Sequence, residues 1–355
     1  MTLFSEEDNP KILEKVMKEL KERDVDLSDG EFDLQELISN IIMDGSSEIA
    51  SDLLKDIKEK SSEMLEEWRE QNKKFEKRLY KLWKKPIDLL EIFIILSLEA
   101  GSSFNNELRE EAVEKNDIVF EALTKLHSRG CLVSRQIVNL LRSGYASGAH
   151  ARWRTLHEIA AVSFFIMKHG EKVAEKYLLH DVIESSKAVR QYQEHVDSLG
   201  YERYSDKEVE EIMKKREKLC ERFGKCYKNT YGWAAEALGK CRPNLYDIEK
   251  DAGINHLRPY YKMASHAVHA NPKGVLFNLG LLSESSGKDV LIAGPSDYGL
   301  ADPGQSTAIS LYQINSVLLT HKPKINSITI LKTLEKLQDE IAEKFVKVQK
   351  KIEKN

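Results

Sequence analysis

The sequence predicts an all-α protein with one small β-hairpin inserted near residues 275–293. Three observations carry that expectation. Glycine and proline are scarce, 18 and 8 of 355 residues, below their average usage of about 7% and 5%. Apolar side chains recur over long stretches at the three- and four-residue steps of an amphipathic helix. With 41% hydrophobic and 32% charged residues, the chain has enough apolar material for a sizeable core, which argues against disorder.

The elements follow in order. Residues 1–85 read as an N-terminal helical region rich in Lys and Glu. Asn9 before Pro10 is a helix start, a capping residue with proline at the first helical position. Leu27–Gly30 and Asp44–Ser47 read as breaks. Beyond them, Leu53, Leu54, Ile57, Met64, Leu65 and Trp68 mark an amphipathic helix. At Pro86 the composition changes: PIDLLEIFIILSLEAG is apolar on nearly every side, as a deeply buried helix is. From here a main helical domain is expected over 86–321. Helices are placed near 104–128, 131–143, 146–169, 171–198, 206–222, 226–239 and 256–270, with glycines at or near the joints.

Residues 271–304 differ, holding six of the 18 glycines and three prolines. Val275–Leu282 and Asp289–Ala293 flank Ser283–Lys288, the pattern of a short hairpin. An irregular loop, GPSDYGLADPG, follows; a long loop inside a compact domain often carries function. Residues 322–355 read as a charged amphipathic helix. Its stripe of Leu331, Leu334, Leu337, Ile341, Phe345, Val348 and Ile352 is expected to pack back on the N-terminal helices or to pair with a second copy. No repeat of fixed period is found.

Charge and cysteines exclude several classes. The net charge of −4 gives no global basic field that would draw the chain to nucleic acid, though a local basic groove is compatible with it. Cys131, Cys220, Cys226 and Cys241 form no C-x-x-C pair, so neither a zinc ribbon nor a disulfide framework is expected. The longest apolar run, Ile92–Leu98, is too short to span a bilayer. MTLFSEEDNPKILEK lacks the apolar core of a signal peptide, so no membrane partner and a cytoplasmic location are expected.

Several segments together resemble a bacterial family known only as a domain of unknown function. They are LLRSGYASGAHARWRTLHEIA (140–160), YGWAAEALG (231–239), YKMASHAVHANP (261–272) and GPSDYGLADPG (294–304). The resemblance runs from about Trp83 to Leu319. It implies a compact, mostly helical cytoplasmic domain and supplies no established activity.

Chemistry is therefore sought in the side chains. On the helix expected over 146–169, His150, Arg154, His157 and Glu158 share one sector of about 100°. The flanking sequence is apolar all round, so this polar stripe enters the interior and must be paired there. The functional reading is a pocket floor where Arg154 holds an anion and His157 or His150 moves protons. The structural reading is a buried Arg154–Glu158 pair locking helices together. Lys262, Ser265, His266 and His269 share a sector of the next candidate helix, opposite Met263, Ala264, Ala267 and Val268. They offer a second acid/base and phosphate-holding stripe, or an ordinary solvated face. In the loop, Ser296, Asp297 and Asp302 offer oxygens to a ligand, or satisfy their own turn.

Two string matches are weaker. Arg152-Trp-Arg-Thr-Leu-His157 fits the R-x-x-x-x-H pattern of metal-independent all-helical HEPN ribonucleases. On a continuous helix, however, Arg152 and His157 are separated by about 140°. His157, the doublet His180-Asp181 and Asp302 stand in the order of an HD-type metal-dependent phosphohydrolase. There is no phosphate-binding glycine loop, no G-x-S-x-G and no H-E-x-x-H, which disfavours ordinary kinases, dehydrogenases and serine hydrolases.

The leading expectation is a ribonuclease-like hydrolase acting on nucleic acid or a nucleotide, of defence or stress type. His157, His266, His269 and Glu158 would be its catalytic groups. Arg154, His150, Lys262, Ser265, Ser296 and Asp297 would bind substrate, with no metal ligand assigned. The alternatives are a non-catalytic helical binding or assembly module and an HD-like phosphohydrolase. The sequence names no cofactor. RNA or a nucleotide, and a second copy held through the terminal helices, are the partners it points to.

Overall fold

A computed structural model describes Lys18 and residues 34–270, 272–281 and 292–354; over 34–50 it describes the side chains of Met43, Ser47 and Ala50 alone. The helices are α1 (Leu34–Glu114), α2 (Ile118–Arg142), α3 (Ala146–His169), α4 (Glu171–Leu179), α5 (Asp181–Leu199) and α6 (Asp206–Phe223). They continue as α7 (Leu245–Asp251), α8 (Arg258–His266), α9 (Pro272–Leu276), α10 (Ala301–His321) and α11 (Ile325–Ile352). Short 3-10 turns lie at Lys225–Lys228, Gly232–Ala234 and Asn255–Leu257. The chain divides into two compact units, Met1–Phe75 and Glu76–Asn355. Of the described helices, none is long and apolar enough to cross a membrane.

The all-α expectation holds, and no strand occurs among the described residues. The hairpin does not form where its first arm was expected. Pro272–Leu276 is a short helix and the chain turns over residues 279–281. Of the rest of the expected hairpin, residues 282–291 lie outside the described residues, and Ile292 and Ala293 form no strand. Helix α1 passes unbroken through Asp44–Ser47 and through Pro86. A proline inside a helix costs about 3 kcal/mol. Burial of Ile87, Leu90, Phe93 and Ile94 offsets it, each side chain being at most 4% exposed. The helix expected over 171–198 breaks at His180, whose Nε2 lies 3.0 Å from both the Tyr227 and Asn229 carbonyl oxygens. The helix expected over 226–239 is replaced by 3-10 turns. Gly232 is required there, because a Cβ would sit 2.2 Å from the Tyr227 carbonyl oxygen.

Cys226 and Cys241 form a disulfide, which corrects the expectation that the cysteines stay apart. Spacing gave no warning, because the bond joins two ends of an irregular segment brought together by the 3-10 turns.

The core of the second unit is the packing of α2, α3 and α10, with α11 laid along α10. Trp153 in α3 is fully buried and its Nε1 donates to the Ser306 carbonyl and to Ser310 Oγ on α10, at 2.9 Å each. A buried polar chain ties α1, α2 and α10 together. The Asn315 amide donates to Ser97 Oγ (2.8 Å) and its carbonyl oxygen meets His127 Nε2 (2.9 Å). Phe345 of α11 packs against Trp83, ring centres 5.8 Å apart, and over Gly304 of α10. The apolar stripe of the C-terminal helix is thus covered by α10 and the second half of α1 at its Phe345 end.

Candidate functional site

Helix α3 carries its polar stripe inward, as expected, and what meets it comes from chain a hundred residues away. His157 Nε2 lies 3.0 Å from Glu249 Oε1 of α7, and both side chains are fully enclosed. The second Glu249 oxygen accepts from Arg258 Nη1 at 2.8 Å, at the start of α8. Buried Glu249 is thus bonded through both carboxylate oxygens, which is what burial of a charge demands.

One turn away, Arg154 Nη2 donates to the Tyr261 hydroxyl at 2.8 Å, and that hydroxyl donates to Glu158 Oε1 at 2.5 Å. Arg154 and Glu158 are therefore joined through Tyr261. The guanidiniums of Arg154 and Arg258 lie 4.6 and 4.8 Å from the centre of the same Tyr261 ring, within cation–π range. Two guanidiniums balance two carboxylates across the cluster. Burial first, and then the bond to Glu158, push the Tyr261 hydroxyl up to about 12. It stays a proton donor at neutral pH.

Four buried polar atoms on this stripe find no hydrogen-bond partner among the described residues: both ring nitrogens of His150, Arg154 Nε and His157 Nδ1. His150 is fully buried with its ring 5.4 Å from that of Trp153, and burial pulls its imidazole down to about 4. It is a neutral ring at pH 7, closed off from solvent.

The other expected site residues are not brought to this cluster. On α8 the buried face is Tyr261 and Ala264. Lys262 and His269 are exposed, His266 is half-exposed, and Ser265 Oγ donates to its own helix at the Tyr261 carbonyl. Tyr261 is the side chain of α8 that docks on α3, and the helix ends at His266, short of the expected residue 270, so His269 lies beyond it. Ser296 builds its turn: Oγ donates to the Gly280 carbonyl and accepts from the Tyr298 backbone N–H. The Asp297 carbonyl accepts from Trp83 Nε1 at 2.8 Å. These two residues brace the loop against α1 and against Gly280. Asp302 is raised above the usual carboxylate range by burial.

Arg152 donates to Gln136 and Thr155 rather than facing His157, so the R-x-x-x-x-H string does not form a pair in space. His157 and His180 are each engaged elsewhere. Among the described residues, no three His, Cys, Asp or Glu side chains converge as metal ligands. Sequence reasoning missed Glu249, Arg258 and Tyr261. The demand for partners was legible in the buried Arg154–Glu158 stripe; which residues would meet it was not.

Residues 120–288 match a family of unknown function (DUF5677). The match includes the stripe on α3, Glu249, Arg258 and Tyr261, and it ends before the 294–304 loop. No curated protein and no solved structure matches the chain.

Proposed function

We propose that the protein is a non-catalytic helical binding module in which the polar network of α3, α7 and α8 is a structural lock. The enclosure of His157 carries this reading. A general base must come within hydrogen-bond reach of the proton it takes, and His157 is 0% exposed with Nε2 committed to Glu249. His266, the last residue of α8, is half-exposed and His269 beyond it is exposed, whereas His157 is enclosed, which supports reading them as separate features. The network instead joins three segments far apart in sequence, which suits a scaffold that holds neighbouring surfaces in place. Ile325 and Ile328, 85% and 51% exposed at the start of α11, are a patch where a second copy would associate.

The test is incubation of the full chain with single-stranded RNA and with nucleoside triphosphates, with and without divalent cations. Intact substrates are expected. Cleavage that His157→Ala abolishes while thermal stability is kept would overturn the reading in favour of the hydrolase.

A further inference from the structure

A cleft of about 590 Å³ lies beside the network, within the range of small-molecule sites. Helices α2 and α3 supply Arg129, Thr155 and Ile159, and the 3-10 segment supplies Tyr231 and Trp233. Tyr177 of α4 stands edge-on to Trp233, ring centres 5.1 Å apart, and Tyr231 lies 6.4 Å from Trp233. The wall is therefore a connected aromatic surface. The Tyr231 hydroxyl makes no hydrogen bond among the described residues.

Charge is separated across the cleft. On one side, exposed Arg129 has no hydrogen bond or ion pair among the described residues. A guanidinium on a cleft wall without a carboxylate partner can take a phosphate in a charge-assisted contact. On the other side, Asp181 and Glu184 line the cleft from α5. They suit hydroxyl or amino donors and oppose a long polyanion. A disulfide between Cys226 and Cys241 closes the segment that carries Tyr231 and Trp233, which keeps the aromatic wall in place before any ligand arrives.

We propose that this cleft binds a nucleoside monophosphate: the phosphate at Arg129, the base against Tyr231 and the Trp233 edge, and the sugar hydroxyls toward Asp181. Aromatic stacking together with a guanidinium–phosphate contact is the usual recognition of such a ligand. The proposal rests on the binding-module reading and names its ligand.

The experiment is calorimetric titration of the full chain, disulfide intact, with each of the four ribonucleoside monophosphates and with inorganic phosphate alone. Phosphorus NMR of each mixture follows. At least one nucleotide is expected to bind, and to bind more tightly than phosphate. Arg129→Glu is expected to weaken it by about tenfold or more, and Tyr231→Ala by a similar factor. Both side chains are at least partly exposed, and melting curves confirm that the variants fold. Phosphate binding as well as any nucleotide, or nucleotide binding indifferent to Arg129→Glu, overturns the proposal. So does absence of binding, which leaves the module reading standing. Nucleotide consumed in an Arg129-dependent way supports the cleft and instead overturns the non-catalytic reading. A single-stranded RNA decamer binding more tightly than every mononucleotide would overturn the assignment to a single phosphate.

Discussion

His150 makes stability depend on pH in a way that one substitution isolates. Its imidazole is drawn from the ordinary 6.5 down to about 4 by burial alone. Between those two values the unfolded chain binds a proton at this site and the folded chain does not. Stability contributed here is therefore whole above about pH 6.5 and is lost as pH falls toward about 4. Integrating the linkage from about pH 7.5 to about pH 5.0 gives a loss of roughly 2 kcal/mol for this residue. The perturbation is His150→Leu, which replaces a fully buried ring, its two nitrogens without a partner among the described residues, by an apolar side chain. Urea denaturation of both proteins at both pH values is the assay. Buried His127 and His180 are also held below their ordinary value, and they titrate alike in both proteins, so the difference reports position 150. The variant is expected to lose roughly 2 kcal/mol less than the parent on acidification, and to be no less stable near neutrality, since no hydrogen bond is removed. Equal losses in the two proteins would refute the argument.

Other outcomes follow from the same geometry. Glu249→Gln removes the charge that faces Arg258 and meets His157; it should cost about 3–5 kcal/mol of unfolding free energy, and an unchanged urea midpoint would show that the network is not a lock. Gly304→Ala places a Cβ 2.4 Å from Phe345 Cζ, so the α10–α11 packing must shift, at about 1–3 kcal/mol by the same measurement. Reducing Cys226–Cys241, which closes a separation of 15 residues, should lower stability by up to roughly 3 kcal/mol; a Cys226→Ser, Cys241→Ser double variant should not respond to the reductant.

Much of the fold was legible because helix period is local. The start of α3 at Ala146, its end at Gly170 and the buried character of residues 159–167 follow from apolar spacing and a glycine with positive φ (72°). The stretch 226–239 reads as a helix in the sequence. What broke it was the Tyr227 carbonyl lying against Gly232 and the disulfide to Cys241, contacts that no local window contains. Asp44–Ser47 and Pro86 are residues that normally break helices, yet α1 continues through both, and burial after Pro86 outweighs the missing donor.

The site shows the same division more sharply. From the sequence alone it follows that Arg154, His157 and Glu158 share one face of a helix that is otherwise apolar, and hence that they need buried partners. Periodicity marks a face; it does not say which distant segment covers it. Only the tertiary structure places Glu249, 92 residues beyond His157, against its imidazole and turns Tyr261, rather than the neighbouring Lys262, onto α3. The amphipathic pattern of α8 was compatible with either rotation. Docking decided it, because Tyr261 buries an aromatic ring and at the same time joins Arg154 to Glu158, whereas a buried Lys262 would have added an unpaired charge to a cluster already balanced.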